Sequence, residues 1–364
     1  MSRPLPRILL LSAYDAASHR YWCQWLQHAC ADFHWTCLSL PDRHFYWRIR
    51  SNALTFVGKY KAELAQPYDL IIATSMTDLA TLRGLVPALG RCPAIVYFHE
   101  NQFVYPLQTE QHQKSNIINA QLNSILTATA ADVLVFNSAY NQSSFMNGLQ
   151  AFSKRMPDGI DKHVPVQLAA KSQVLPVPII QSPQQTGKDN ATVEIVWNHR
   201  WEYDKQPDVF FAAMSRLQQE KLPFKLHVMG QSFRQVPSCF DTARKALGGR
   251  IITWGYQPRE RYCQILERAA IVVSTALHDF QGLSMLEAIH RGCVPVAPDR
   301  VAYPEYIPAA LLYNGDNEVE SLCDLLHDVV TGQLPQAPLV DAYLDTVLTD
   351  KYRKLIDQAI QVNT

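Results

Sequence analysis

Two acids and two bases in the second half of the chain stand at spacings that could do chemistry. Asp279 and Glu287 are separated by seven residues in DFQGLSMLE, with Gly282 between them. The β-branched apolar run Ile271 to Thr275 precedes them, and the Gly282 turn then opens a helix carrying Leu283, Leu286 and Ile289. A helix opened by such a turn aims free backbone N–H groups at an anion. One acid lies in the loop and the other about a turn into the helix, so both can face one crevice. Phe280, Gly282, Leu283 and Ser284 form the turn itself. Upstream, Arg200 and Lys205 sit in the polar loop of VEIVWNHRWEYDKQPDVFF, between an apolar strand and a helix. A departing nucleoside diphosphate gains negative charge in the transition state, and fixed cations stabilise it in a dry site. Arginine forks across two phosphate oxygens, whereas lysine supplies a compact charge. Taken alone, two loop cations are ordinary solvated surface. Beside the Asp279–Glu287 turn they read as the diphosphate end of a nucleotide-sugar site.

Three features of the first half suit an acceptor. YFHENQFVYP delivers His99, Glu100, Asn101 and Gln102 to the carboxyl end of a buried strand, the side on which open α/β sheets bind ligands; a lone histidine there is also a common structural hydrogen-bonder. SAYDAASHR follows the first strand and leads to Ser18 and His19, with a plain helix cap at Ser18 as the alternative. LPDRHFYWRIRSNALTFVGKYK interleaves Arg43, His44, Arg48, Arg50, Lys59 and Lys61 with Phe45, Tyr46 and Trp47. Arginines beside exposed rings suit a phosphate backbone with bases to stack. A solvated helix face over an aromatic core stripe gives the same string.

The elements that must position these residues are strands alternating with helical patterns, in two series. The first has strands at 8–11, 35–40, 69–74, 94–98, 133–136 and 174–177, and the second at 195–197, 225–229, 251–254, 271–275, 294–297 and 311–313. QSPQQTGKDN between them reads as a linker. The chain therefore divides into an acceptor-binding domain 1–181, a linker 182–191, a nucleotide-sugar domain 192–341 and a terminal helical segment 342–364. The fold class is α/β, two Rossmann-like doubly wound domains. At 364 residues and 48% hydrophobic content, two cores are affordable. Lys plus Arg and Asp plus Glu both number 33, so no global charge advertises a polyanionic partner. The 8 cysteines form no CxxC pair, and Cys23, Cys30 and Cys37 at seven-residue steps suit buried thiols of a reducing compartment. No stretch reaches the roughly 20 apolar residues of a membrane span. No DxD triad is present to hold a divalent metal under a diphosphate, so neither a metal nor a cofactor other than the donor is expected.

The strings D-FQGLSML-E and RGCVPVAP resemble the fingerprint of family 4 retaining glycosyltransferases, in which two glutamates flank seven residues with a Gly three after the first and a GxPV strand following. Arg200-x4-Lys205 resembles the same family's diphosphate clasp. The resemblance implies the GT-B fold, with two domains facing across a cleft and the last helix returning to the first domain. It implies that Asp279, which stands where the family has Glu, contacts the donor sugar hydroxyls, that Glu287 bonds the nucleotide ribose, and that His99 lies near the sugar and the attacking hydroxyl. PDGIDKH at 157–163 imitates the turn that closes the first domain of that family and is assigned instead to a loop between strands.

Together with FNSAYNQSSF, WGYQPRERY and YPEYIP, the segments around His99, Arg200 and Arg48 resemble the tRNA-queuosine mannosyltransferase family over nearly the whole chain. That resemblance implies mannose transfer from GDP-mannose to queuosine at the wobble position of tRNA-Asp, in the cytoplasm, with retained configuration. The attack would come on the same face, with the leaving phosphate helping to take the acceptor proton. A family 4-like enzyme acting on a lipid-linked or small-molecule acceptor, and a sugar-nucleotide-binding regulator without chemistry, are the alternatives.

Overall fold

The computed structural model describes residues 5–104, 111–156, 159–161, 163–182, 192–232 and 236–361. Two compact units contain them: unit 1 is Met1–Pro178 with Thr346–Thr364, and unit 2 is Ile179–Asp345. Unit 1 runs through β1 (Arg7–Ser12), α1 (Ala17–Ala29), β2 (His34–Ser39), α2 (Phe45–Lys59), α3 (Lys61–Leu64), β3 (Leu70–Thr74), α4 (Leu79–Leu85), β4 (Ala94–Phe98), α5 (Gln111–Ala130), β5 (Val133–Phe136), α6 (Ala139–Ser153), α7 (His163–Ala170) and β6 (Ser172–Val174). Unit 2 has β7 (Val193–Asn198), α8 (Pro207–Gln219), β8 (Phe224–Met229), α9 (Cys239–Ala246), β9 (Ile251–Gly255), α10 (Arg259–Arg268), β10 (Ile271–Val273), α11 (Leu283–His290), β11 (Val294–Pro298), β12 (Leu312–Tyr313) and α12 (Glu318–Thr331). The last helix, α13 (Asp345–Gln361), belongs to unit 1 from Thr346 onward.

Every ladder is parallel. The sheet orders are β2-β1-β3-β4-β5-β6 and β12-β11-β10-β7-β8-β9. Parallel strands carry crossover helices on both faces, which is why β3, β4 and β11 are continuous apolar runs buried at every residue. In each sheet the winding direction reverses once, between β1 and β3 in unit 1 and between β7 and β10 in unit 2. Ligands of doubly wound sheets bind outside the carboxyl ends of the strands at that reversal. Residues 199–205 follow β7 and residues 274–279 follow β10, so the fold brings the two donor-site strings to one switch point.

The segment α13 is fixed to unit 1 by a phenol. Trp22 Nε1 donates to Tyr352 Oη at 3.0 Å, and that hydroxyl lies 3.1 Å from Tyr97 Oη. No helix among the described residues is long and apolar enough to cross a membrane. Three details differ from the expectations above. The sixth strand ends at Val174 instead of beginning there, although Leu175 N–H still bonds the Phe136 carbonyl of β5. That boundary falls after Pro178, and most of the segment read as a linker, 183–191, lies outside the described residues. The seven-residue cysteine steps do not follow one helix: Cys23 is in α1, Cys30 caps it, and Cys37 is exposed on β2.

Candidate active site

In unit 2 the loop after β7 is stitched to the loop after β10. Lys205 Nζ donates to the His278 carbonyl oxygen and lies 3.3 Å from Asp204 Oδ2. Thr275 Oγ1 donates to the Lys205 carbonyl at 2.6 Å, and Leu277 N–H donates to the Asp204 carbonyl at 2.8 Å. Arg300 ties both loops from outside: Nε donates to the Ala276 carbonyl at 2.9 Å and Nη2 to Gln206 Oε1 at 2.8 Å, while Glu318 pairs with the same guanidinium. The ammonium of Lys205 is thus buried but fixed among oxygens, the state a preorganised cation needs. Arg200 differs. It pairs with Glu202 at 3.0 Å and its side chain is 55% exposed.

Asp279 sits on the turn before α11. Its Oδ1 accepts the Gly282 N–H at 2.9 Å and its Oδ2 accepts from Tyr303 Oη at 3.1 Å. Tyr303 Oη is also 2.7 Å from Ser274 Oγ. Burial pushes the Asp279 carboxyl up, but Lys205, His199 and the Tyr303 bond together hold it below its ordinary value, so it is ionised at neutral pH. Gly282 has φ 76°, and a Cβ there would stand 2.4 Å from Tyr306 Oη, so both the left-handed backbone and the close phenol require glycine. Glu287, on α11, is held 2.6 Å from Arg259 Nη2 and is bonded by the Tyr262 hydroxyl. Asn198 Nδ2 reaches both Tyr262 Oη and the Ser284 carbonyl at 3.0 Å, which joins β7 to the start of α11. Phe280 is buried, with its ring edge-on to His278 at 4.6 Å, while Leu283 and Ser284 are half-buried.

Several polar atoms around this turn are shut from water yet have no hydrogen-bond partner: Asn198 Oδ1, His199 Nε2, Trp201 Nε1 and Tyr306 Oη. Burial, then the Lys205 charge, lowers the His199 imidazole to about 4, and the same causes lower His278 to about 4, so both rings are neutral at pH 7. Gly230 closes the back of the site, since a Cβ there would overlap the His199 carbonyl oxygen at 1.8 Å.

Unit 1 has its own polar cluster at the ends of β1 and β4. His19 and His99 are stacked with centroids 4.2 Å apart, and Trp22 meets His99 edge-on at 5.0 Å. His19 Nδ1 and His99 Nε2 are buried without partners. Burial lowers His19 to about 4 and His99 well below its ordinary value, the second helped by the first. Glu100 is half-buried and Gln102 Nε2 lies 3.4 Å from Glu100 Oε1. Asn101 is different: it is fully buried, and its amide bonds Asn141, Ser144 and the Phe103 N–H, so it holds the loop and has no face for an acceptor. Ser18 is exposed in the first turn of α1, whose cap is Ala16, so neither its hydroxyl nor that of any neighbour caps the helix.

The basic-aromatic segment divides by helix periodicity. Arg48, Ile49, Asn52, Ala53 and Phe56 line the buried side of α2, while Arg43, Tyr46, Trp47 and Arg50 face solvent. Trp47 is 73% exposed, and Arg50 reaches Asn119 of α5 at 2.9 Å. Arg48 therefore lies on the core side of α2 and not on the exposed face with Trp47, and its Nε is buried without a hydrogen-bond partner.

Residues 7–179 match the family described as tRNA-queuosine alpha-mannosyltransferase N-terminal, and residues 179–335 match the glycosyl transferases group 1. The tRNA-queuosine alpha-mannosyltransferase of Drosophila melanogaster is 34% identical over 332 residues, covering 87% of this chain and 86% of the fly protein. The chain belongs to the tRNA-queuosine alpha-mannosyltransferase family. Sucrose-phosphate synthase from Thermosynechococcus elongatus has a TM-score of 0.73 at 13% identity, covering 98% of this chain and all of the other. Anabaena HepE in complex with UDP-glucose gives 0.64 at 12%, over 97% of this chain and 100% of its own. At those identities the two solved structures show the fold, GT-B.

This glycosyltransferase therefore has the fold that its sequence fingerprint implied. Within unit 2, Lys205, Asp279, Gly282, Ser284 and Glu287 surround one switch point, with Arg200 on its exposed margin. The groups that sequence reasoning missed are His199, His278, Arg259, Tyr262, Tyr303, Tyr306 and Arg300. WGYQPRERY and YPEYIP contained four of them as strings without roles; the bonds to Glu287 and Asp279 show what Arg259, Tyr262 and Tyr303 hold, and the Tyr306 hydroxyl packs against Gly282.

Proposed function

We propose that this chain transfers mannose from GDP-mannose to the queuosine at the wobble position of tRNA-Asp, in the cytoplasm, with retained configuration and without a metal ion. Family membership supports the mannosyl and queuosine parts. The observation that carries the donor part is the fixed Lys205 ammonium beside an ionised Asp279 on the turn of Gly282. There Lys205, joined by Arg200, takes the diphosphate; Asp279 bonds a sugar hydroxyl; Glu287 bonds the ribose; and the backbone of Phe280, Gly282, Leu283 and Ser284 lines the turn. No side chain is a nucleophile in this reading. The leaving phosphate takes the acceptor proton, and the cations stabilise the charge that develops on it.

Acceptor contacts fall to unit 1. His99 and His19, neutral at pH 7, offer uncharged ring nitrogens to the cyclopentenediol hydroxyls, beside Ser18, Glu100 and Gln102. Arg43 and Arg50 meet phosphates, and Trp47 stacks on an unpaired base. The test is to mix the protein with GDP-mannose and queuosine-containing tRNA-Asp, digest the RNA and weigh the wobble nucleoside. A hexose increment with GDP-mannose, absent with UDP-sugars and with tRNA lacking queuosine, is the expected result. Donor binding without an increment, together with salt-sensitive binding to liposomes instead of tRNA, would replace this reading with a lipid-linked acceptor.

A further inference from the structure

We infer that His199 is a ligand of the donor diphosphate, an uncharged third member of the group formed by Arg200 and Lys205; the inference rests on the donor reading of unit 2 given above. The imidazole is 4% exposed, and its Nε2 is shut from water without a hydrogen-bond partner. A buried polar atom left in that state costs roughly 1–3 kcal/mol, and folded chains seldom keep one unless something else meets it. Packing alone does not require an imidazole there, since its ring neighbour is Trp197, edge-on at 5.2 Å, an aromatic contact that a phenyl ring would also make. The charged groups that act on the ring are Lys205, Asp279, Asp204 and Arg200. The cluster is therefore the phosphate end of the proposed site.

The charge of the cluster explains why a neutral donor suits the position. Lys205 is already matched by Asp204 at 3.3 Å, and Arg200 by Glu202 at 3.0 Å. A third cation packed against the first two would be repelled in the free protein. A neutral imidazole with its proton on Nε2 adds a hydrogen bond to a phosphate oxygen and no repulsion before the ligand arrives. Bonds of a neutral donor to an ionised acceptor are stronger than those between neutral groups. The backbone fixes the ring's starting point: His199 follows β7 directly, and Gly230 packs against its carbonyl so closely that a Cβ there would overlap it.

The experiment measures equilibrium binding of GDP and GMP to the full chain and to His199→Phe and His199→Gln, with thermal unfolding of each unliganded protein as the control. Phenylalanine keeps a ring and removes the N–H, whereas glutamine carries an amide N–H to about the reach of Nε2. The expected result is that His199→Phe weakens GDP by roughly 10- to 100-fold and GMP by less than about twofold, and that His199→Gln restores most of the GDP affinity. Equal losses for GDP and GMP, or no loss, in a His199→Phe protein that unfolds like the wild type would overturn the inference. If His199→Phe does not fold, His199→Leu takes its place under the same readout: a loss confined to GDP supports the role, and a loss shared with GMP, or no loss, removes it. A wild-type protein that binds UDP and not GDP moves the test to UDP and UMP. One that binds no nucleoside diphosphate overturns the donor reading itself, and this inference with it.

Discussion

The donor turn of unit 2 and the acceptor end of unit 1 solve different problems with different materials. Around Asp279 and Lys205, nearly every charged group is tied to a second one, and further ties run through backbone: the Gly282 N–H, the His278 carbonyl and the Lys205 carbonyl. Around His99 the polar groups are neutral rings stacked on aromatic ones, and the charges stand apart on the exposed side of α2. A small, highly charged ligand needs positions fixed to fractions of an ångström, because Coulomb energy falls steeply with distance in a dry site. A long polyanion can be gathered by exposed side chains and held by stacking. If that contrast is right, substitutions at the donor turn should change turnover, and substitutions on α2 should change acceptor affinity alone.

The largest effect belongs to Lys205. Replacing it with Ala removes a preorganised cation and leaves Asp204 buried without its partner. Turnover should fall by about 100-fold or more, by analogy with losing one fixed transition-state donor, and steady-state rates with saturating acceptor measure it. A rate within a few-fold of wild type would take Lys205 out of the clamp and weaken the contrast at its strongest point.

Trp47 comes next. Stacking is worth about 1–3 kcal/mol per base, so Trp47→Ala should raise KM for tRNA by about tenfold. Hydrolysis of the donor without acceptor should stay unchanged, because the side chain is exposed on α2 of unit 1. Equal damage to tRNA transfer and donor hydrolysis would mean that the substitution disturbs the fold and that α2 is no acceptor surface.

Tyr303 sharpens the donor side of the contrast. Its hydroxyl bonds Asp279 and helps keep that carboxyl below its ordinary value. Tyr303→Phe removes the bond and leaves Asp279 with a higher pKa. The acid limb of kcat/KM should therefore move to higher pH, with a loss of about tenfold at neutral pH. A limb that stays in place while the rate falls would assign Tyr303 a purely packing role.

How much of this was legible in the sequence also differs between the regions. The central strands were, because parallel strands buried on both faces, such as β3, β4 and β11, are continuous apolar runs; the mixed strands β2, β8 and β9 still carry enough apolar residues to show, whereas Ser172–Val174 is polar at its start and was displaced by the stronger run after it. The pairing of Arg200-x4-Lys205 with Asp279-x7-Glu287 was legible because each lies within one strand-loop-helix unit. Tyr303 and Arg259 were not, since each reaches its acid from a different strand-loop-helix segment. Asn101 misled for the opposite reason: a polar residue after a strand has the same appearance whether it faces a ligand or, as here, bonds Asn141 and Ser144 inside the fold.

The two regions share one property, and acid tests it. His19 and His99 in unit 1 and His199 and His278 in unit 2 are all buried with folded pKa values below the unfolded value near 6.5, three of them at about 4. In that window the unfolded chain binds protons that the folded chain refuses, so stability rises with pH and is lost as pH falls from about 6.5 toward 4. Each of the three rings at about 4 contributes on the order of 1–2 kcal/mol of destabilisation by pH 5, and His99 acts in the same direction. The melting temperature should drop by several degrees between pH 7 and pH 5 at constant salt. Donor should oppose the drop in unit 2 alone, because a diphosphate beside His199 would raise that imidazole and let it take a proton without unfolding. Scanning calorimetry with and without GDP at both pH values separates the two units. Equal protection at pH 7 and pH 5 would place the nucleotide away from His199 and leave burial as the whole explanation for its neutrality.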